Sequence, residues 1–293
     1  ALFPGHAAAA TAAIAAGGFI GGSLGEGGPN GIHALDATAW AQEGLMSGLA
    51  SKVAGIGGLK GALSTDEVNR AAGGIASVTA PLYGAFQGDA LEVKQVYSRT
   101  EVVRESHSVA EAMENLRRLG EERLGKIDLN SGLEYGTIAI QEYRKADGSS
   151  SWLVTIPGTD GKLDSPFGWP QNVELMSSDP EQRMHADSAR MVLEAMERAG
   201  IGKGEPVALI GHSQGGIVAA AIASDMADRY SFEHVVTCGS PVANHPIPER
   251  TWVTSVEIDD ELVAALDGAA NPATENWLTV TGTVHKAPGS LTT

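Results

Sequence analysis

The chain of 293 residues is long enough to bury a large core, as one α/β domain with an extra segment or as two small domains. Its formal net charge of −16 argues against a nucleic-acid partner, because phosphate binding needs a basic face. Cys238 is the only cysteine, which excludes an intramolecular disulfide and a cysteine-based metal cluster.

The first 131 residues carry no catalytic motif. Residues 1–30 are typical of a Gly/Ala-rich lead-in or linker, and they lack the roughly 18 consecutive apolar residues that a membrane span needs. Residues 31–131 are predicted to be helical and to serve as a cap, a lid or a partner-binding surface. A signal peptide would begin with a basic region, and none precedes Lys52. We expect a soluble protein, and we prefer a secreted or extracytoplasmic location to the cytoplasm.

One helix in this region has clear boundary signals. Ser108 and Glu111 stand in capping-box spacing, and Gly120 is predicted to end the helix. The same capping spacing occurs earlier at Ser64 and Glu67. The residues predicted to share the apolar face of the later helix are Val109, Ala112, Met113 and Leu116.

The hydrophobic period changes near Gly132, and residues 132–293 are predicted to form the catalytic domain. Two strands joined by the turn "KADGSS" come first, followed by one helix over residues 181–199, with Pro180 at its start and Gly200 at its end. Further strands are predicted at "PVALI", "HVVTCG", "WVTSVEI" and "NWLTVTG". Strands that alternate with helices indicate a mostly parallel sheet, whose active site lies at the carboxyl ends of the strands.

The segment "VALIGHSQGGIVAAAIASDMA" contains the candidate nucleophile, Ser213. A nucleophile elbow needs a buried strand, a sharp turn and a helix, and this segment supplies all three. Gly211 and Gly215 flank the serine, and His212 belongs to the elbow, where we expect its side chain to support the turn. The same G-x-S-x-G spacing around Ser23 has no strand before it and is interpreted as a linker serine.

Acyl transfer through a serine also needs backbone donors for the oxyanion. The amide that follows the nucleophile belongs to Gln214 and is the first candidate. The second is the amide of Thr159, in the loop that ends the predicted strand "LVTIPGTD". By itself "PGTD" fits an ordinary turn equally well.

Four motifs, in order, resemble those of the class 3 lipases of the α/β-hydrolase superfamily. They are "IPGTD", "FGWPQN" with Trp169 and Asn172, "GHSQGG", and "TCGSPVAN". Two arginines usual in that family are missing, one of them replaced by Pro157, so the relationship is distant. The resemblance covers about residues 133–285. It implies an α/β-hydrolase fold and the hydrolysis of carboxylic esters, often of lipids, without metal or organic cofactor.

The catalytic base should follow the acid in chain order, and His285 satisfies that after the last predicted strand. A base on an extension beyond the chain is the alternative. The resemblance places the acid at the head of "ELVAAL", which selects Glu261, with Asp260 as the alternative and Asp259 as a third choice. Glu257 is predicted to lie within the strand. Asp267 is too far along the chain to be preferred.

The sequence therefore predicts a serine esterase or lipase with a small-molecule or lipid ester as substrate, acting also at a lipid–water interface. The triad is compatible with a thioesterase or peptidase as well. The competing class is a non-catalytic interaction protein on a hydrolase scaffold. A lid is expected either in the N-terminal region or in the loop of residues 160–182.

Overall fold

The computed structural model of the chain describes residues 91–162, 164–258 and 269–283. It also describes eight separate residues: Asn69, Ala72, Gly73, Ala76, Ser77, Val263, Ala264 and Asp267. The predictions for residues 1–30, for the capping box at Ser64, and for His285, Glu261, Asp260 and Asp259 lie outside the described residues.

The elements of the described ranges alternate between helix and strand after an initial helix and hairpin. The strands are β1 Ala139–Arg144, β2 Ser150–Ile156, β3 Pro206–His212, β4 Ser231–Cys238, β5 Trp252–Ile258 and β6 Trp277–Gly282. The helices are α1 Val109–Glu122, α2 Trp169–Leu175, α3 Pro180–His185, α4 Asp187–Ala199 and α5 Gln214–Asp225. None of these helices is long and apolar enough to span a membrane.

The strands form one sheet in which spatial order follows chain order, from β1 to β6. β1 is antiparallel to β2, and every later neighbour is parallel, which confirms the predicted mostly parallel sheet. Ile156 at the end of β2 pairs with Gly211 near the end of β3. The loops that follow these two strands therefore leave the sheet side by side, at its carboxyl edge.

Both faces of the sheet are covered, because successive side chains of a strand point to opposite faces. On β3, Leu209 packs in the large apolar cluster with α4 and α5, while Ile210 packs on the other face with Ala112 and Leu116 of α1. Both β3 side chains are fully buried, and each such burial contributes roughly 1.5–3 kcal/mol to stability. The alanine-rich α5 is buried over most of its length, since small side chains let it approach the sheet closely.

The first helix differs from its predicted form at its end. Ser108 caps it by accepting a hydrogen bond from the Glu111 amide, as predicted, but α1 runs past Gly120 to Glu122. A glycine within a helix costs only about 1 kcal/mol, which the packing of buried Leu119 offsets. The Glu122 carboxylate then accepts hydrogen bonds from the amides of Leu129 and Ser131, and this fixes the chain after the helix.

Two further predictions about this region are wrong in part. Residues 91–107 have no helical turn, although the sequence predicted helix there. The predicted apolar face includes Val109, but Val109 is 37% exposed, because the helix packs on the sheet through Ala112 and Leu116, about one and two turns later.

The helix predicted over residues 181–199 is two helices, because Ala186 has an extended conformation at φ −55° and ψ 129°. Arg183 ties α3 to the end of α5 through two hydrogen bonds to Asp225, at 2.8 and 2.7 Å. α4 is instead held by its own buried side chains against the sheet. Because α3 and α4 are held by different contacts, they point in different directions and do not form one straight helix. Gly200 ends α4 in a left-handed conformation, as predicted.

Candidate active site

Ser213 lies at the sharp turn between β3 and α5, with φ 51° and ψ −120°. Among the described non-glycine residues only Asn130 shares its positive φ. Backbone strain of this kind costs on the order of 1–3 kcal/mol and persists only where the surroundings enforce it. Here the Ser213 amide donates to the Cys238 carbonyl at 2.9 Å, and the Ser213 carbonyl accepts from the Ser240 hydroxyl at 2.9 Å. The end of β4 therefore holds the strained turn in place.

Glycine is required around this turn for steric reasons. A Cβ on Gly211 would overlap the backbone of Gly215, because the chain folds back on itself. A Cβ on Gly215 would overlap the carbonyl of Ile156, at the end of the neighbouring strand β2. These contacts explain why both flanking positions lack a side chain, and they bring the end of β2 against the start of α5.

The loop after β2 lies against Ser213. A Cβ built on Gly158 would stand 2.9 Å from the His212 carbonyl oxygen and 3.1 Å from the Cβ of Ser213. The next residue, Thr159, is thereby placed beside the turn. Its amide has no hydrogen-bond acceptor among the described residues.

The amide of Gln214 is the other donor beside Ser213. Gln214 is the first residue of α5, where a backbone N–H has no partner within the helix. No described residue accepts a hydrogen bond from it. The positive end of the α5 dipole lies at the same place and favours a negative charge there. The arrangement can stabilise an oxyanion at Ser213.

Two side chains hold the loop between β2 and α2. The side chain of Gln214 is buried, and its Nε2 donates a hydrogen bond to the Gly168 carbonyl at 2.6 Å. Asn172 of α2 donates from Nδ2 to the Thr159 hydroxyl at 3.1 Å. The sequence pointed to Asn172 as a landmark only, and the structure gives it a contact with the candidate oxyanion loop.

A buried ion pair lies beneath this loop, and no sequence motif predicts it. Arg123, directly after α1, is only 4% exposed, and its Nη2 donates to the Gly158 carbonyl. Its Nη1 lies 3.7 Å from Asp160 Oδ2, and its guanidinium lies 5.2 Å from the ring centroid of Phe167. Arg123 belongs to the charged segment "GEERLGK", which is typical of solvent-exposed sequence, so no local signal marks it.

Burial dominates the electrostatics of this pair. It lowers the pKa of Arg123 to about 10, although Asp160 acts in the opposite direction. Burial also raises the pKa of Asp160, against the effect of Ser165 and Arg123. Asp160 accepts hydrogen bonds from the Ser165 hydroxyl at 2.6 Å and from the Gly136 amide at 3.1 Å. Both charges are thus held away from water beside the loop.

The His212 ring lies beside Gly158, where a Cβ would stand 3.1 Å from its Nδ1. It is exposed, and its ring makes no hydrogen bond with the described residues. Crowding by the elbow removes part of its hydration and lowers its pKa, and the nearby charges of Lys126 and Arg123 act in the same direction. The hydrogen bonds that hold the elbow are those of Ser213 with Cys238 and Ser240.

The strands that precede the predicted base and acid are both described. β5 ends at Ile258 and β6 at Gly282, and both are parallel to β3. Both strands therefore end at the edge of the sheet where Ser213 lies. Glu257 lies within β5, as predicted, and its Oε1 accepts from Asn271 Nδ2 at 2.5 Å.

Asp267 and Glu275 are the acidic residues described after β5, and Asp267 is the buried one. Its carboxylate is buried and accepts hydrogen bonds from the amides of Ala243 at 2.8 Å and Ala269 at 3.2 Å. Burial raises its pKa to about 6. Both carboxylate oxygens are engaged by backbone amides, so the contacts that the structure shows for Asp267 brace the loop after β4.

Helical residues from the N-terminal third also contact this edge of the sheet. Asn69 accepts at its backbone carbonyl from the Ser178 amide at 3.3 Å, and at Oδ1 from Asn244 Nδ2 at 3.3 Å. Ala72 and Ala76 pack with Val173 and Met176 of the α2 segment. These residues therefore flank the loops that follow β2 and β4. Within the described ranges, no group of His, Cys, Asp or Glu side chains is arranged to hold a metal ion.

Comparison with protein-family models matches residues 180–288 to the PGAP1-like alpha/beta domain, a stretch shorter than half of the chain. No curated protein and no solved structure matches the chain. The matched stretch runs from α3 through the elbow and β6. It supports a relation to the α/β-hydrolase superfamily and does not support the class 3 lipase assignment. The sheet and this match agree, and the chain has an α/β-hydrolase-like fold.

Proposed function

We propose that this protein is a serine hydrolase that cleaves carboxylic esters through an acyl-enzyme on Ser213. The observation that carries the proposal is the strained conformation of Ser213 between two glycines that have no room for a Cβ. Strain at such a turn is typical of a nucleophile held at the end of a central strand.

The reaction has two steps. The Ser213 hydroxyl attacks the ester carbonyl while His285 takes its proton, and the amides of Thr159 and Gln214 bind the oxyanion. His285 then protonates the alcohol as it leaves, and the acyl group stays on Ser213. Water attacks the acyl-enzyme by the same route in reverse and releases the carboxylic acid. Glu261, or Asp260 in its place, orients His285 and stabilises its charged form.

The position of β6 supports His285 as the base. Neighbouring strands lie about 4.8 Å apart, so β6, three strands from β3, is ~14 Å from the nucleophile strand. His285 is three residues past the end of β6, and three residues span at most about 10 Å. The imidazole adds the remaining reach. This length of chain is enough for His285 to serve as the base at Ser213.

Esters are proposed as substrates because the backbone donors beside Ser213 suit acyl transfer, and because the family of the matched domain is hydrolase-related. The net charge of −16 favours a neutral substrate over an anionic one. The helical residues near Asn69 flank the site, which supports a cap that contacts the acyl chain or a lipid–water interface.

The test uses p-nitrophenyl esters from acetate to palmitate, together with a fluorophosphonate probe that labels activated serines. We expect turnover and labelling by the wild-type protein, and loss of both in Ser213→Ala. Ser224→Ala is the matched control, because Ser224 lies on the same helix α5 and its hydroxyl bonds only the Ala220 carbonyl in the described structure. This control should keep full activity.

A wild-type protein that neither turns over any ester nor reacts with the probe would contradict the proposal and favour a non-catalytic scaffold. Labelling without ester turnover would direct the search to thioesters and peptides, which the same nucleophile can attack.

A further inference from the structure

The peptide between Gly158 and Thr159 has a fixed orientation. In a trans peptide the C=O and the N–H point in opposite directions. The Gly158 carbonyl points inward, where the guanidinium of Arg123 donates to it. The Thr159 N–H must therefore point away from Arg123. Since Gly158 lies against Ser213, this direction is toward the space in front of the nucleophile.

The two residues that follow this peptide are anchored. Asp160 is fixed by the Ser165 hydroxyl and the Gly136 amide through its side chain, and its own amide donates to the Phe167 carbonyl at 3.2 Å. Thr159 is held through its hydroxyl by Asn172. The Arg123 contact is the one in the described structure that fixes the carbonyl of Gly158, and so the rotation of the peptide plane.

The contacts of Arg123 are a poor explanation for a buried arginine if it serves only to stabilise the fold. Its Nε and Nη1 have no hydrogen-bond partner among the described residues, and its ion pair with Asp160 is long, at 3.7 Å. A buried charge with few partners costs stability relative to an apolar side chain of similar size. Arg183 shows the contrast: it is equally buried, but it makes two hydrogen bonds with Asp225 and a third with the Ser177 carbonyl.

We propose that Arg123 is a positioning residue for the oxyanion hole. It acts through the Gly158 carbonyl, which it binds so that the Thr159 amide faces the oxyanion that forms at Ser213. This role rests on the proposed function, because it needs a reaction that passes through an oxyanion. It also assigns a task to the segment after α1, which lies outside the matched α/β region of residues 180–288.

The test compares Arg123→Met with Arg183→Met, two replacements of equally buried arginines by an apolar side chain. Both are assayed with p-nitrophenyl butyrate, and thermal unfolding of each is recorded. A misplaced oxyanion donor lowers turnover by roughly 10- to 100-fold. We expect the kcat of Arg123→Met to fall by about that factor, while its KM changes by less than ~3-fold. An alkyl boronic acid mimics the tetrahedral intermediate, and we expect this variant to bind it more weakly by a similar factor. Arg183→Met should lose stability but keep kcat within ~3-fold.

Arg123→Lys is the second variant, since it keeps the buried charge and loses the planar fork. It should fold and show an intermediate kcat. The proposal is overturned if folded Arg123→Met or Arg123→Lys keeps wild-type kcat and boronic-acid affinity, or if neither variant folds, which would make the role of Arg123 structural. Inactive wild-type protein would instead overturn the proposed function itself, so the two failures are distinguishable.

Discussion

At the scale of single residues, the acid of the triad is the open choice among several carboxylates on one loop. Alanine substitution of Glu261, Asp260 and Asp267 separates them. We expect Glu261→Ala to lower kcat by about 10³-fold or more, since the imidazolium loses its partner, and we expect Asp260→Ala to stay near wild type. Steady-state kinetics with p-nitrophenyl butyrate and circular dichroism of each variant provide the measurement.

Asp267→Ala should act differently from both. It leaves the partly buried amides of Ala243 and Ala269 without acceptors, so thermal unfolding should shift to lower temperature. Collapse of turnover in Asp260→Ala, with Glu261→Ala active and folded, would reverse the choice of acid. Collapse in folded Asp267→Ala alone would give the role to that buried carboxylate.

The roles of single residues also differ in how well they can be predicted from the sequence. Ser213 and its flanking glycines form a local motif, and the strained turn follows from consecutive residues. The contact between Arg123 and Gly158 joins residues 35 positions apart on different elements. It exists only because α1 packs beneath the loop, and nothing in a charged helix end predicts that packing.

At the scale of elements, the hairpin and the parallel strands were predictable because each combines an apolar run with a turn signal. The end of α1 and the break between α3 and α4 at Ala186 were not predictable, since tertiary contacts outweigh the local preferences of Gly120 and of an alanine-rich segment.

A truncation is not a suitable test of whether the N-terminal region forms a cap. Removing everything before residue 131 would delete α1 and Arg123, which belong to the sheet and the loop.

A point variant in the full chain tests the cap instead. Ala76→Glu places a charge against Val173 and Met176, where burial without a partner is unfavourable, and should release the helical residues from the site. We expect the ratio of palmitate to butyrate ester turnover to change by at least about threefold, because the acyl-chain path is altered. Ala110→Glu, on the exposed start of α1, is the control and should leave the ratio unchanged.

An unchanged ratio in a folded Ala76→Glu variant would contradict the cap. The lid would then be sought in the connection of residues 160–182, which follows β2 beside the site and includes α2.

At the scale of the whole molecule, the sheet is built in chain order, with the nucleophile on an interior strand and the proposed base and acid beyond later ones. The mostly parallel class was predictable from the alternation of strands and helices. The exact neighbour relations were not, because the alternation leaves strand order undetermined. Because β2 and β3 are neighbours in the sheet, the loop after β2 and the turn after β3 lie side by side. These two segments carry the candidate oxyanion donors, Thr159 and Gln214.

The edge position of β6 has a consequence for how activity is lost. β6 pairs only with β5 in the described structure, and Leu278 and Val280 are 56% and 43% exposed. Local opening of such a strand requires less free energy than global unfolding. If His285 is the base, a molecule with β6 detached is folded but inactive.

We expect the amide hydrogens of β6 to exchange with solvent faster than those of β3. We also expect ester turnover to disappear at a lower urea concentration than the far-ultraviolet circular dichroism signal. Coincident loss of both signals would show that the last strand opens only with the rest of the sheet.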